Sequence, residues 1–237
     1  MKRLSFFSVI LFLADFIADI IVAQTGNEPA RYFTKGLLMP LVFIYFISEV
    51  KGFAETNKLK YVRLIGLALA FSFAGDLFLI SDSSLNFILG IAFFLMAHIF
   101  YILFFYRIKS FKKNNMLFLW ITGLVIAGYI LLLNYLFWPL VAKQQLTVPV
   151  MAYSAILGAM LFTAANVSNS ALQPKYFAYC IIAGAVIFVA SDSMIAFNKF
   201  YLITPLPEFY IMLTYCIAQF LIVSGAVKFI KQKTTLR

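Results

Sequence analysis

The chain has 237 residues, of which 64% are hydrophobic and 12% charged, and its mean hydropathy is +0.96. A soluble domain of this length needs a polar surface that this composition cannot supply, which leaves an all-α integral membrane protein. The net charge of +10 is of the sign that suits nucleic acid. The basic residues gather between apolar runs, however, and so read as membrane topology rather than as a nucleic-acid surface.

Eight apolar spans are predicted, each close to the ~20 residues that a helix needs to cross the hydrocarbon. The first, 4–23, follows Lys2 and Arg3. It lacks a small-residue cleavage site and carries Asp15 and Asp19, so it is expected to be a span and not a signal peptide. The second, 34–50, has Lys35 at its head. The third, 61–80, ends in "AFSFAGDLFLI" and holds Asp76 near its close. "SDSS" (81–84) makes a tight hairpin into the fourth, 84–106, where "FFLMAHIFY" places Tyr101 about one turn from His98. The fifth and sixth are 116–138 and 147–167, the latter with Tyr153. The seventh, 177–197, repeats the buried acid as Asp192 in "GAVIFVASDSMIAF", beside Ser191 and just before Asn198. The eighth, 207–229, carries Tyr215 and Gln219. Residues 1–237 thus read as a single transmembrane domain.

Pro139, Pro149, Pro174, Pro205 and Pro207 are expected at or near span boundaries, where a missing amide does least harm. Tyr32, Tyr61, Tyr106, Trp120, Trp138 and Tyr176 read as anchors at the membrane interface. Cys180 and Cys216 sit in apolar segments and are expected to be reduced.

Fifteen of the nineteen basic residues fall on the face that holds both termini, here called the near face. Only Arg31, Lys35, Lys143 and Lys199 fall on the far face. The positive-inside rule then makes both termini cytoplasmic, in the plasma (inner) membrane if the source is bacterial.

The order acid, hairpin, polar span occurs twice. Spans 1–4 and 5–8 would be two parallel four-helix repeats, related by an axis along the membrane normal. Asp76 and Asp192 then lie at one level, five or six residues (roughly 8–9 Å) below the far face, as a candidate facing pair. His98 is expected several residues deeper than Asp76, to be brought level only by a bend at Gly90 or a vertically extended cavity.

A charged carboxylate in a span costs several kcal/mol and needs a partner, water or a proton. Lys35, Ser72, Ser191 and nearby tyrosines are the ordinary partners, and they suffice to explain Asp15 and Asp19, which stand i, i+4. Asp76 and Asp192 occupy matched positions, each beside a small residue, Gly75 or Ser191, that admits another group. Two carboxylates in one low-dielectric site cannot both ionise cheaply, so one is left as acid and the other as base. That pairing suits cleavage of carbon–oxygen bonds through an oxocarbenium ion. One histidine and two distant cysteines supply no metal-ligand cluster, and no cofactor is expected.

Taken in order, Lys35, "GDLFL" (75–79), "GIAFFLMAHIFY" (90–101), "PVMAYSAILGAM" (149–160), "GAVIFVASDSMIAFNKF" (184–200) and "YCIAQFLIVSG" (215–225) resemble the YhhN family of integral membrane proteins. Its characterised members are lysoplasmalogenases. Gly36 after Lys35 departs from the Lys-Pro expected there. The resemblance implies hydrolysis of a lysoplasmalogen vinyl ether to a fatty aldehyde and a glycerophosphoethanolamine or glycerophosphocholine, the lysophospholipid being met within the bilayer. Asp76 and Asp192 would be the catalytic acid/base pair. Lys35 would meet the phosphate, and His98, Tyr101, Tyr153, Ser191, Asn198, Tyr215 and Gln219 would surround the substrate. A proton-coupled transporter or a lipid-binding membrane protein would use the same acids.

Overall fold

The computed structural model describes residues 2–51, 58–81, 83–111, 116–169, 175–201 and 206–235. Among them run eight helices and no strand: α1 (Lys2–Thr25), α2 (Glu28–Val50), α3 (Leu59–Phe78), α4 (Ser84–Ile108), α5 (Met116–Lys143), α6 (Thr147–Ser168), α7 (Tyr176–Tyr201) and α8 (Pro207–Thr235). All eight are long and apolar enough to span a membrane, and the protein is an integral, multi-pass one. Pro174, Pro205 and Asp82 of the "SDSS" turn lie outside the described residues.

Local chemistry explains where the helices differ from the predicted spans. α2 starts six residues before the predicted 34, because Asn27 caps it by accepting a hydrogen bond from the Ala30 amide at 3.1 Å, with a proline in the first turn. Such a cap is worth about 1 kcal/mol. Gly26 makes the reversal from α1 at φ +68°, a backbone that glycine adopts without steric cost. Ser83 caps α4 in the same way through the Asn86 amide. Pro149 and Pro207 sit in the first turns of α6 and α8, as expected. Pro139 does not mark an end: α5 continues past it to Lys143, and Pro40 likewise lies inside α2. α7 runs to Tyr201, four residues beyond its predicted end.

Helix packing recurs in two halves. α1 packs on α2 as α5 does on α6, α2 on α3 as α6 on α7, and α3 on α4 as α7 on α8. Between the halves, α4 packs on α6 and α8 on α2, which is the exchange that a two-fold axis along the bundle produces. The closest seam is α7–α8. A Cβ at Gly184 would lie 2.9 Å from the Ala218 carbonyl, and one at Gly225 would lie 2.8 Å from the Phe177 carbonyl. In lipid, where apolar burial gives helices little reason to associate, such small residues let backbones approach and gain dispersion contacts.

α5 buries almost none of its surface, as befits a helix facing lipid. Trp120, Trp138, Tyr106, Tyr176 and Tyr32 are exposed, in keeping with interface anchors. Tyr61 is not: it is 2% exposed and packs edge-on against Phe104 and Phe229 in the core. Cys180 and Cys216 are free thiols, both buried.

Candidate active site

Each buried acid accepts a hydrogen bond from a tyrosine on another helix. Tyr215 on α8 donates to Asp76 Oδ2 at 2.7 Å, and Tyr153 on α6 donates to Asp192 Oδ2 at 2.6 Å. The last helix of each half serves the acid of the other half. α8 brings Tyr215 to Asp76, and α4 brings His98 to Asp192, with Nε2 3.6 Å from Oδ2.

His98 therefore reaches Asp192, although its backbone position predicted a deeper location. Gly90 serves close packing here. A Cβ there would collide with Leu79 at 2.6 Å, so this glycine lets α3 and α4 close together. Side-chain direction, rather than chain position, brings the two groups together. Helical side chains tilt toward the N-terminus of their helix. On α4 that tilt points His98 toward the far face, and on the oppositely directed α7 it points Asp192 toward the near face, so the two converge.

The imidazole is fully buried. Its Nδ1 lies 2.5 Å from the Phe94 carbonyl, an acceptor, so Nδ1 carries a hydrogen. Nε2 has no hydrogen-bond partner and faces the Asp192 oxygen. Nε2 and the Asp192 oxygen are thus close neighbours, beyond direct hydrogen-bond distance.

Asp76 belongs to a different network. Gln219 Nε2 donates to Ser72 Oγ at 3.0 Å, and the Gln219 carbonyl oxygen accepts from Tyr101 at 2.5 Å. Gln219 Nε2 also lies 3.4 Å from the Tyr215 hydroxyl. The rings of Phe94 and Phe188 stand edge-on to Tyr215, and Phe188 does so to His98 as well, so they partition the two networks. The two carboxylates remain near enough to interact electrostatically, but they share no hydrogen bond.

Two recesses open beside these acids. One, of about 60 Å³, is apolar and is walled by Leu79, Phe87, Ile91, Phe94, Val150, Tyr153, Asp192, Ile195, Ala196 and Phe200. The other, of about 90 Å³, carries Lys35, Ser81, Asn198, Lys199 and Glu208 together with Leu79, Phe87, Ile195 and Ile211. Leu79, Phe87 and Ile195 line both. Leu79 and Ile195 each follow their acid by three residues, which keeps Asp76 and Asp192 at corresponding positions. This holds although α3 ends two residues after its acid and α7 nine, not the equal five or six expected.

Of the residues singled out from sequence, Asp192 and Tyr153 face the apolar recess, and Lys35 and Asn198 face the polar one. His98 stands behind Asp192. Asp76, Tyr101, Tyr215 and Gln219 lie in the neighbouring buried network and line neither recess. Ser191 faces neither; its hydroxyl donates to the Ile211 carbonyl at 3.1 Å and ties α7 to α8. Asp19 accepts from Thr34 at 2.8 Å and lies in Coulombic range of Lys35, in line with the ordinary reading, whereas Asp15 Oδ2 is buried without a hydrogen bond. Sequence reasoning passed over Lys199, Arg31 and Glu208. Their signal is in the sequence: charges are scarce on the far face, where Arg31 and Lys199 read as topology alone.

Residues 30–226 match the YhhN family. The chain belongs to that family. It is 32% identical over 188 residues to the lysoplasmalogenase TMEM86A of Homo sapiens, a match covering 79% of this chain and 74% of the human one. It is also 37% identical over 89 residues to proteins named lysoplasmalogenase from Mycobacterium bovis and Mycobacterium tuberculosis, over 38% of this chain and 31% of theirs. No solved structure matches it. The YhhN match begins within α2 and closes within α8, so it takes in Lys35, both acids and both of their tyrosines.

Proposed function

We propose that this YhhN protein is a lysoplasmalogenase that hydrolyses the vinyl ether of its substrate by acid catalysis within the membrane. The observation that carries the reading is Asp192, set in an apolar wall with a buried histidine 3.6 Å behind it and a lysine-bearing recess adjoining. The names of the human and mycobacterial relatives point to the same activity.

A vinyl ether is cleaved by protonating its β-carbon, which leaves an oxocarbenium ion. Water adds to that ion and loses a proton, and the hemiacetal falls apart into an aldehyde and the glycerophospholipid alcohol. The sequence needs no nucleophilic serine or cysteine. Asp192 is the donor at the wall, and its conjugate base takes the proton back from the attacking water. His98 acts through Asp192. Asp76 accepts a hydrogen bond from Tyr215 and lies in Coulombic range of Lys35, so it serves as the anion behind the wall that favours the oxocarbenium ion. Only the vinyl ether end needs to reach the small apolar recess. Lys35 receives the phosphate as a point charge. Both termini are cytoplasmic in this arrangement, by the distribution of basic residues.

The test is an assay of the detergent-purified protein, with no gradient, against a lysoplasmalogen and its saturated 1-alkyl analogue. Aldehyde is expected from the first alone, because the analogue has no double bond to protonate. Equal cleavage of both removes the mechanism, and turnover that needs a gradient favours a carrier. Tyr153→Phe removes the hydrogen bond that orients Asp192. Its kcat is expected to fall about tenfold or more, as for a lost hydrogen bond to a charged group, in steady-state aldehyde release.

A further inference from the structure

The two recesses beside the acids are divided by a short wall. Leu79, Phe87 and Ile195 line both, so Asp192 stands on one side of these three side chains and Lys35 on the other. None of the three side chains carries a polar atom. Ile195 lies about one turn past Asp192 on α7, and a β-branched residue in a helix has little rotamer freedom. Leu79 rests on α4 where Gly90 leaves room, for a Cβ there would stand 2.6 Å from Leu79 Cδ2. Phe87 is 8% exposed and belongs to a buried cluster with Phe137, Val141, Leu146 and Phe200. The Lys199 ammonium lies 5.0 Å from its ring centroid, a cation–π contact that holds the ring in place.

A lysoplasmalogen bears its vinyl ether on the sn-1 carbon of glycerol and its phosphate on the sn-3 carbon. With the first at Asp192 and the second at Lys35, the sn-2 carbon has to cross the wall. A hydroxyl on that carbon adds a single oxygen, and Ser81 and Asn198 offer it partners on the polar side. An ester there adds a carbonyl and a chain. These would have to be seated among a phenyl ring and two branched side chains packed at interior density.

We infer that Leu79, Phe87 and Ile195 form a filter at the sn-2 carbon, with Phe87 the specificity-determining residue that sets its width. The inference rests on the lysoplasmalogenase reading for the two ends of the substrate, and it names the side chains that impose a free hydroxyl between them. Phe87 has this part because it supplies the largest of the three side chains from α4, an element that carries neither acid nor Lys35.

The full-length protein in detergent is assayed with 1-alkenyl glycerophosphocholines that carry a hydroxyl, an acetyl ester or a long acyl ester at sn-2, at equal mole fraction in the micelle. Wild-type kcat/KM is expected to fall at each step, by about a hundredfold or more over the series. Phe87→Ala is expected to narrow that range about tenfold or more by raising the two esters. Leu79→Ala widens the same wall from the end of α3 and is expected to act in the same direction. Thermal melts report the fold, and should Phe87→Ala not fold, Leu79→Ala carries the test. A wild type that cleaves the long acyl lipid as readily as the lysolipid overturns the inference, as do folded variants that keep the wild-type range. Inert 1-alkyl counterparts separate the filter from the chemistry. Their Kd values are expected to rise in the same order for the wild type and to converge for Phe87→Ala. If that pattern holds and no alkenyl lipid yields aldehyde, the hydrolase reading fails and the filter stands. Aldehyde release that ignores the sn-2 group keeps the hydrolase and removes the filter.

Discussion

Asp192→Asn is expected to lower kcat for vinyl ether hydrolysis about a hundred- to ten-thousand-fold, the range for removal of a positioned general acid. The change is close to isosteric, and the new amide oxygen still accepts from Tyr153, so the fold should survive. What is lost is the acid proton, and an amide does not replace it at the β-carbon. His98 retains its bond to the Phe94 carbonyl. Asp76→Asn should cost less. That acid lines neither recess, and in the proposed mechanism it acts only through its charge. The measurement is single-turnover aldehyde release for both variants, with size-exclusion profiles to show folded protein. A folded Asp192→Asn variant with near-native turnover sinks the assignment, and a larger loss at Asp76 reverses the division of labour.

The second large effect is on stability. Gly184→Leu should destabilise the protein by about 3 kcal/mol or more, at the upper end for overpacking. The added side chain would meet the Ile222 side chain and also the unyielding backbone of α8: its Cβ alone would stand 2.8 Å from Ile222 Cγ1, 2.9 Å from the Ala218 carbonyl and 3.0 Å from the Ile222 amide. α7 carries Asp192 and α8 carries Tyr215, so pushing them apart also displaces both acids from their partners. Gly128→Ala on α5 is the control. Nothing lies within 4 Å of a Cβ there, and helix propensity favours alanine by up to about 1 kcal/mol. Thermal unfolding in detergent is expected to show a lower Tm for the first and an equal or higher one for the second. An unchanged Tm for Gly184→Leu would mean that the α7–α8 seam is looser than drawn.

The number of helices and their apolar character could be read from sequence because lipid removes most alternatives: a run of some twenty apolar residues with no water to satisfy its backbone has little choice but helix. The ends were less legible, since they depend on single caps. Asn27 begins α2 well before its apolar stretch, and the apolar surroundings of Pro139 let α5 continue through it. The pairing of each acid with a tyrosine was foreseeable in kind, for a carboxyl at that depth needs a donor. Which tyrosine serves which acid was not, because that depends on the crossing of α8 to α2 and of α4 to α6. His98 was placed by Cα depth when the tilt of its side chain decided the contact. Arg31 and Glu208 are 177 residues apart, and nothing local couples them.

The exchange of closing helices between the two halves bears on ancestry. Neither half completes its own acid: Asp76 waits for a tyrosine from α8, and Asp192 for a histidine from α4. A unit of half this length would need a second copy, each lending its fourth helix to the carboxyl of its twin, to assemble either contact.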